Sequence, residues 1–274
     1  HDRSSAGATA AARGAALASR GPAGLVFFYL PRTLRLIAAK DLRTFLRDPV
    51  QWSQLAILLG LLVLYLTNMP TLRMDFGATE WNVMLPFLNL CAVSLILATF
   101  TCRFVFPLVS LEGRQRWLIG LLPMRRGYIL LAKFVFAMTV TLVSAVGAML
   151  LAAFMLKLDV IWAVLHVVVT FSICFGLCGF SVGIGARMPM FDQPNVARIA
   201  NGLGGTTNLL GSVALVFVVL AAVGVATWRS RFLPEGAVPD PVSLCLWAGA
   251  TVTGIAAGAT ALAVGARHFN RVEM

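Results

Sequence analysis

The side chains that could do chemistry lie in short segments between long apolar stretches. No His-Glu-x-x-His and no Cys-x-x-Cys occurs, which argues against the common zinc sites. The apolar stretches carry no Asp or Glu between their ends, and this disfavours a proton relay built on acids. His166 is a lone histidine near the end of one stretch, where a bond to a neighbouring helix is the commoner role. The sequence therefore predicts no catalytic residue and no metal site.

The composition predicts an all-α, polytopic membrane protein. Hydrophobic residues make up 59% of the chain and charged residues 12%, against about 25% charged in soluble domains. Six stretches have the ~18 or more residues that cross ~30 Å of hydrocarbon as a helix. They are residues 52–69, 82–109, 128–156, 158–186, 203–227 and 242–266.

The basic residues fall almost wholly in alternate gaps between these stretches. Eighteen of the 22 Lys and Arg lie on one side and four on the other. The positive-inside rule then predicts that both termini are cytoplasmic. We expect the membrane to be a bacterial inner membrane. The net charge of +11 is interpreted as this basic rim, which faces anionic lipid, and nucleic acid is not expected as a partner.

The N-terminal segment divides into a linker and a surface helix. Residues 1–24, rich in Ala, Gly, Ser and Arg, are predicted to be a flexible linker. Because the chain begins at His1, we expect it to be the C-terminal portion of a longer chain. Residues 31–48 predict an interfacial amphipathic helix with basic and apolar halves; its candidate site residues are Arg35, Lys40, Asp41, Arg43, Arg47 and Asp48. A solvated basic linker is the alternative.

The loop 110–127 is the most distinctive of the cytoplasmic segments. Ser110 could cap a short helix with an acidic residue in its first turn, and Pro123 would end it. A short amphipathic helix between two spans is a good docking element for a soluble partner, although it could also be a plain membrane turn. The candidate docking residues are Glu112, Arg114, Arg116, Trp117, Leu118 and Leu121.

Small and polar residues inside the spans predict helix contacts. Small residues four apart let helices approach closely, and such faces are either static contacts or a gate. Five cysteines in or at the ends of the spans are interpreted as small packing residues. The candidates for packing or gating, in the spans and in the loop before the fifth, are Asn89, Gly179, Gly183, Asp192, Asn195, Gly204, Gly205, Asn208, Gly254 and Gly258.

With these residues in view, the chain resembles the permease subunits of type-2 ATP-binding-cassette (ABC) exporters. Three segments carry the resemblance: 40–52, which is similar to the surface helix that enters the first span; Ser110 to Arg114 with Pro123 and Lys133, similar to a signature around the coupling helix; and 191–205. It implies ATP-driven export, with residues 110–124 and Lys133 coupling the bundle to an ABC ATPase subunit and a second permease bundle alongside. No Gly-x-x-x-x-Gly-Lys-Ser/Thr occurs, so the chain is expected not to be an enzyme, and ATP and Mg are expected on the partner.

Two other functions remain open from the sequence. A membrane scaffold or assembly protein would need no docking helix at 110–127. An intramembrane enzyme would need polar dyads that the spans lack. The sequence does not name a substrate.

Overall fold

The computed structural model describes residues 27–47, 79–111, 126–190, 195–230 and 238–271, with isolated positions between Pro49 and Asn68. Every regular element in these ranges is helical. Five helical stretches are long and apolar enough to cross a membrane: Met84–Ser110, Gly127–Met155, Val160–Arg187, Leu203–Arg229 and Pro241–Phe269. The predicted all-α polytopic membrane fold is therefore confirmed for this part of the chain. The predicted first span, 52–69, and the short helix within 110–127 lie outside the described residues.

Nine helical segments follow one another along the described chain. They are α1 Arg32–Arg47, α2 Thr79–Phe100, a π-helical turn Thr101–Val105, α3 Pro107–Ser110, α4 Arg126–Met155, α5 Val160–Arg187, α6 Val196–Ala200, α7 Leu203–Arg229 and α8 Pro241–Arg271.

The long helices alternate in direction around α5. The four residues between α4 and α5 reverse the chain, with Lys157 at a φ of 51°, in the left-handed region that non-glycine residues rarely adopt. Helix α8 runs parallel to α5 and makes its most extensive contact with it, while α7 runs antiparallel to both. We call the end of the bundle that carries α1, α3 and α6 the α1 end and the opposite one the far end.

Two apolar cores fill the bundle. One lies among α2, α4, α5, α7 and the first half of α8 and includes Trp162 and Trp247. The other joins α1 to α4, α5 and the π-helical turn at the α1 end and is rich in phenylalanine, with Phe45 and Phe104 in edge contact. The second core is what seats α1 on the membrane helices.

The π-helical turn has a local cause in Pro107. A proline has no backbone N–H, so the hydrogen bond that residue 107 would make to residue 103 cannot form. The amide of Phe106 instead donates to the carbonyl of Thr101, five residues back, at 2.9 Å. The extra residue turns Arg103 outward while its neighbours Cys102 and Phe104 stay buried.

Helices α5 and α8 touch along their backbones through glycines. A Cβ added at Gly179 would lie 2.5 Å from the carbonyl oxygen of Gly258, and one at Gly258 would lie 2.6 Å from that of Phe175. Gly183 faces Ala261 in the same way. Both spacings are shorter than any real Cβ contact, so no side chain fits between the two helices here.

We expect Gly258→Ala to destabilise the protein by about 1–3 kcal/mol, because the added methyl must push the helices apart. Gly249→Ala on the same helix is the matched control, since nothing lies within 4 Å of its Cβ position. Thermal unfolding of the detergent-solubilised protein should show a lower midpoint for the first variant only. Equal midpoints for both would contradict the close contact.

Candidate functional site: a surface helix tied to the bundle

A buried ion pair connects α1 to the membrane helices. The ammonium of Lys133, in the second turn of α4, lies 3.5 Å from Oδ2 of Asp41 in the middle of α1. Lys133 is 2% exposed and Asp41 6% exposed. Two opposite charges withdrawn from water attract each other strongly, and removing one of them takes a buried partner from the other.

The burial of Lys133 is unusual for its position. A lysine near the end of a span commonly extends its side chain to the membrane surface. In the structure the Lys133 side chain is buried, and its ammonium lies against Asp41 of α1. The residues between Leu111 and Arg126 that would make up the predicted docking element are not described, so its coupling role stays a prediction.

The turn that precedes α1 is fixed by further polar contacts. The guanidinium of Arg35 donates to the carbonyls of Phe27, Phe28 and Leu30 at 3.2, 2.6 and 3.2 Å. Arg35 is therefore half-buried against its own chain, whereas the sequence placed it on the lipid-facing basic half. The Tyr29 hydroxyl lies 2.6 Å from that of Thr139 on α4. Phe27, fully buried, was not singled out from the sequence because it lies outside the helical period.

The other predicted residues of α1 divide between surface and interior. Lys40 is exposed and lies 3.5 Å from Oδ1 of Asp41; Arg43 is half-buried and Arg47 is exposed. Asp48 lies outside the described residues. So do Asp192 and the candidate docking residues Glu112, Arg114, Arg116, Trp117, Leu118, Leu121 and Pro123.

The candidate packing residues occupy several separate contacts. The amide nitrogen of Asn89 on α2 lies 3.1 Å from the sulfur of Met149 on α4, and that of Asn208 on α7 donates to the Ser181 hydroxyl on α5 at 3.1 Å. Gly179 and Gly183 face α8, where Gly254 and Gly258 lie. The structure adds Ser172, whose hydroxyl donates to the carbonyl of Thr251 at 2.6 Å and was not predicted.

The segment between α5 and α7 is a short helix with a polar cap. Asn195 begins α6, and its side-chain oxygen accepts a hydrogen bond from the amide of Ala197 at 2.9 Å. At Gly205 there is no room for a Cβ, because the carbonyl of Ala200 fills the position, and at Gly204 the ring of Phe106 comes within 2.9 Å of it. These two glycines therefore let α7 start directly against α6 and the π-helical turn.

A Gly-x-Ser-x-Gly sequence inside α5 matches a hydrolase motif but does not have the backbone geometry of that motif. Residues 179–183 read Gly-Phe-Ser-Val-Gly, the spacing of a nucleophile elbow. An elbow is a sharp strand-to-helix turn that exposes its serine. Here the segment is continuous helix, and Ser181 is fully buried and accepts the bond from Asn208. The glycines of this motif serve the contact with α8.

An apolar groove opens at the α1 end between α4, α5 and α8. Its volume is about 460 Å³, and its walls include Tyr128, Phe175 and Ala263. Arg267 is exposed one helical turn beyond Ala263 on the same face of α8. Within the described ranges no group of three or more His, Cys, Asp or Glu could hold a metal ion.

A family of known proteins matches residues 5–274, nearly the whole chain, and its description is "Putative ATP-binding cassette". The chain belongs to this family. It is thus related to ABC transporters, and it carries membrane-type helices. Comparison with curated proteins and with solved structures gave no match.

Membership in the ATP-binding-cassette family corrects four expectations from the sequence. The chain was predicted to be a permease subunit of a type-2 exporter, whereas its family is described by the nucleotide-binding cassette. The exporter function assigned on that resemblance is corrected with it. The assignment as a non-enzyme and the placement of ATP and Mg only on a partner are likewise contradicted, because the description attaches ATP binding to the family itself.

The residues that the structure describes do not fit a bound ATP. A nucleotide-binding P-loop joins a strand to a helix and places Lys and Ser/Thr at the phosphates. The described ranges contain no strand, and the motif is absent from the printed sequence. The glycine-rich start of α7 is closed by Phe106 and Ala200. No nucleotide contact is therefore assigned to these residues.

We expect Lys133→Met to lower the free energy of unfolding by about 3–5 kcal/mol, because it removes the buried partner of the Asp41 carboxylate and leaves it beside the exposed Lys40. The double variant Asp41→Leu with Lys133→Met should lose much less unfolding free energy, since it removes both charges. Lys40→Met is the control, because the Lys40 ammonium is exposed and water already screens its interaction with Asp41. Denaturant unfolding in detergent measures all three, and a double variant as unstable as the single one would contradict the pairing.

Proposed function

We propose that this chain is a membrane-embedded component of an ABC assembly and that α1 is its docking surface for other components. The observation that carries the proposal is the buried ion pair between Asp41 and Lys133. A docking surface works only if it keeps a fixed position relative to the helices behind it, because each rotation frozen on binding subtracts from affinity.

The outward side of α1 has the composition of a recognition surface. Lys40 and Arg47 are exposed there, together with Leu46, which is 47% exposed. Basic side chains around an exposed apolar one favour a partner with an acidic rim and an apolar contact at its centre. The partners that fit are other ABC components or a second copy of this chain.

Membrane lipids are further partners on this proposal. The groove beside Tyr128 and Phe175 is apolar and of acyl-chain character, and Arg267 continues its α8 wall. Basic pockets between membrane helices on the cytoplasmic side attract anionic head groups.

The orientation we propose puts the α1 end in the cytoplasm. Arg35, Arg103, Arg187 and Arg267 all lie at this end, while Lys157 and Arg229 lie at the far end. The asymmetry of basic residues supports this orientation. The membrane we propose is a bacterial inner membrane.

Assembly should depend on the ion pair. Two differently tagged copies of the full chain, expressed in the native membrane, are purified through one tag; the second copy is detected by its tag and other ABC-family proteins by mass spectrometry. We expect Asp41→Asn to reduce capture about tenfold for each 1.4 kcal/mol of docking free energy lost. Lys40→Gln tests the exposed neighbour and should change capture less. Unchanged capture with Asp41→Asn, at equal membrane insertion, would contradict the role of α1.

Labelling should reveal the orientation. In a Cys245→Ser background, which removes the exposed native thiol, we introduce Arg267→Cys at the α1 end or Val238→Cys at the far end. A membrane-impermeant maleimide added to intact cells should label position 238 only. Labelling at 267 without lysis would reverse the proposed orientation.

A further inference from the structure

Four buried polar atoms at the far end of the bundle have no hydrogen-bond partner in the structure. They are Nε2 of His166 on α5, Oγ1 of Thr227 on α7, and Oγ of Ser243 and Nε1 of Trp247 on α8. None of these residues is more than 2% exposed. A buried polar atom without a partner is unfavourable, so several at one end of the bundle indicate a ligand that pairs with them.

Each of the four residues lies within two helical turns of the far end of its own helix. The His166 and Trp247 rings are in edge contact, with centroids 5.0 Å apart. Ser243 precedes Trp247 by four residues and therefore lies on the same face of α8, one turn nearer the far end. Thr227 lies in the last turn of α7, at the same end of the bundle.

The donor and acceptor at the centre of this cluster are fixed. Nδ1 of His166 lies 2.8 Å from the carbonyl of Trp162, which can only accept, so Nδ1 carries the proton. With the proton on Nδ1, Nε2 of the neutral ring is a bare acceptor. The indole Nε1 of Trp247 is a donor and nothing else. The hydroxyls of Ser243 and Thr227 can act in either sense.

We propose that this cluster binds one neutral hydroxyl group, whose oxygen accepts from Trp247 Nε1 and whose proton is donated to His166 Nε2. An anion would meet the lone pair of Nε2, and a cation would meet the N–H of the indole, so neither satisfies both nitrogens. A hydroxyl satisfies both, and the Ser243 hydroxyl, one turn from Trp247, can complete its coordination. The group belongs either to a water molecule or to a polyhydroxyl lipid head group, since the site lies near the membrane surface.

Nuclear magnetic resonance of the full chain in lipid nanodiscs tests the proposal. With ¹⁵N-labelled His and Trp, Nε2 of His166 should resonate as an unprotonated nitrogen that accepts a hydrogen bond, upfield of a bare one. Bilayers of phosphatidylcholine, whose head group has no hydroxyl, are compared with phosphatidylglycerol, whose head group has two. If the hydroxyl belongs to a water molecule, magnetisation should transfer from water protons to the Trp247 indole N–H in both lipids. A head-group hydroxyl gives the upfield shift in phosphatidylglycerol only.

Substitutions localise the signal to this cluster. His166→Phe should abolish the transfer at Trp247, or the lipid dependence, and Ser243→Ala should weaken it. Ser212→Ala is the matched control, because its hydroxyl is also buried and unpartnered but lies in the middle of α7. If His166→Phe fails to fold, the wild-type spectrum and Ser243→Ala still decide. A bare or protonated Nε2 in both lipids, or an indole signal unaffected by His166→Phe in a folded protein, would overturn the proposal.

Discussion

The direct contact between the backbones of α5 and α8 sets the geometry of the whole bundle. Lipid is as apolar as leucine, so membrane helices gain little from burying apolar side chains and associate where they can pack closely. Gly179 and Gly258 leave nothing between the two helices but main-chain atoms. With α5 and α8 side by side and parallel, α7 packs against both of them and α4 packs against α5. The positions of α4 and α7 are set relative to this contact.

Several polar side chains inside the bundle form hydrogen bonds between two helices. Asn208 reaches Ser181 and Ser172 reaches the Thr251 carbonyl, so each joins two helices. The pair of Asp41 and Lys133 also joins two helices, at higher cost, because both groups are charged. Such a pair adds little net stability over an apolar substitute, and what it adds is uniqueness of position. That is why we regard the seating of α1, rather than the apolar cores, as the feature that carries function.

The sequence predicts the membrane helices well, but it predicts poorly which side chains of different helices contact one another. Length and hydropathy suffice for α5 and α7, since a helix is the only open-ended structure that satisfies its own backbone in lipid. Pairing is different, because Lys133 and Asp41 are 92 residues apart and only the folded bundle brings them together. The π-helical turn before Pro107 was also missed, although the missing proline N–H is a signal that could have revealed it. The contacts of Arg35 were also not predicted, because its acceptors lie in a non-helical turn.

The family description and the geometry of the described helices give different information about function. The family's description concerns ATP, whereas the described helices satisfy their own backbones and offer no loop of free amides for phosphates. Whatever nucleotide chemistry serves this protein must therefore affect these helices through their ends rather than their middles. At the α1 end, α1 is bound to α4 by charge, α6 abuts α7, and α3 continues α2 through a π-helical turn. A force applied there would reach three membrane helices, α2, α4 and α7, and α5 and α8 would move together because no side chain separates them.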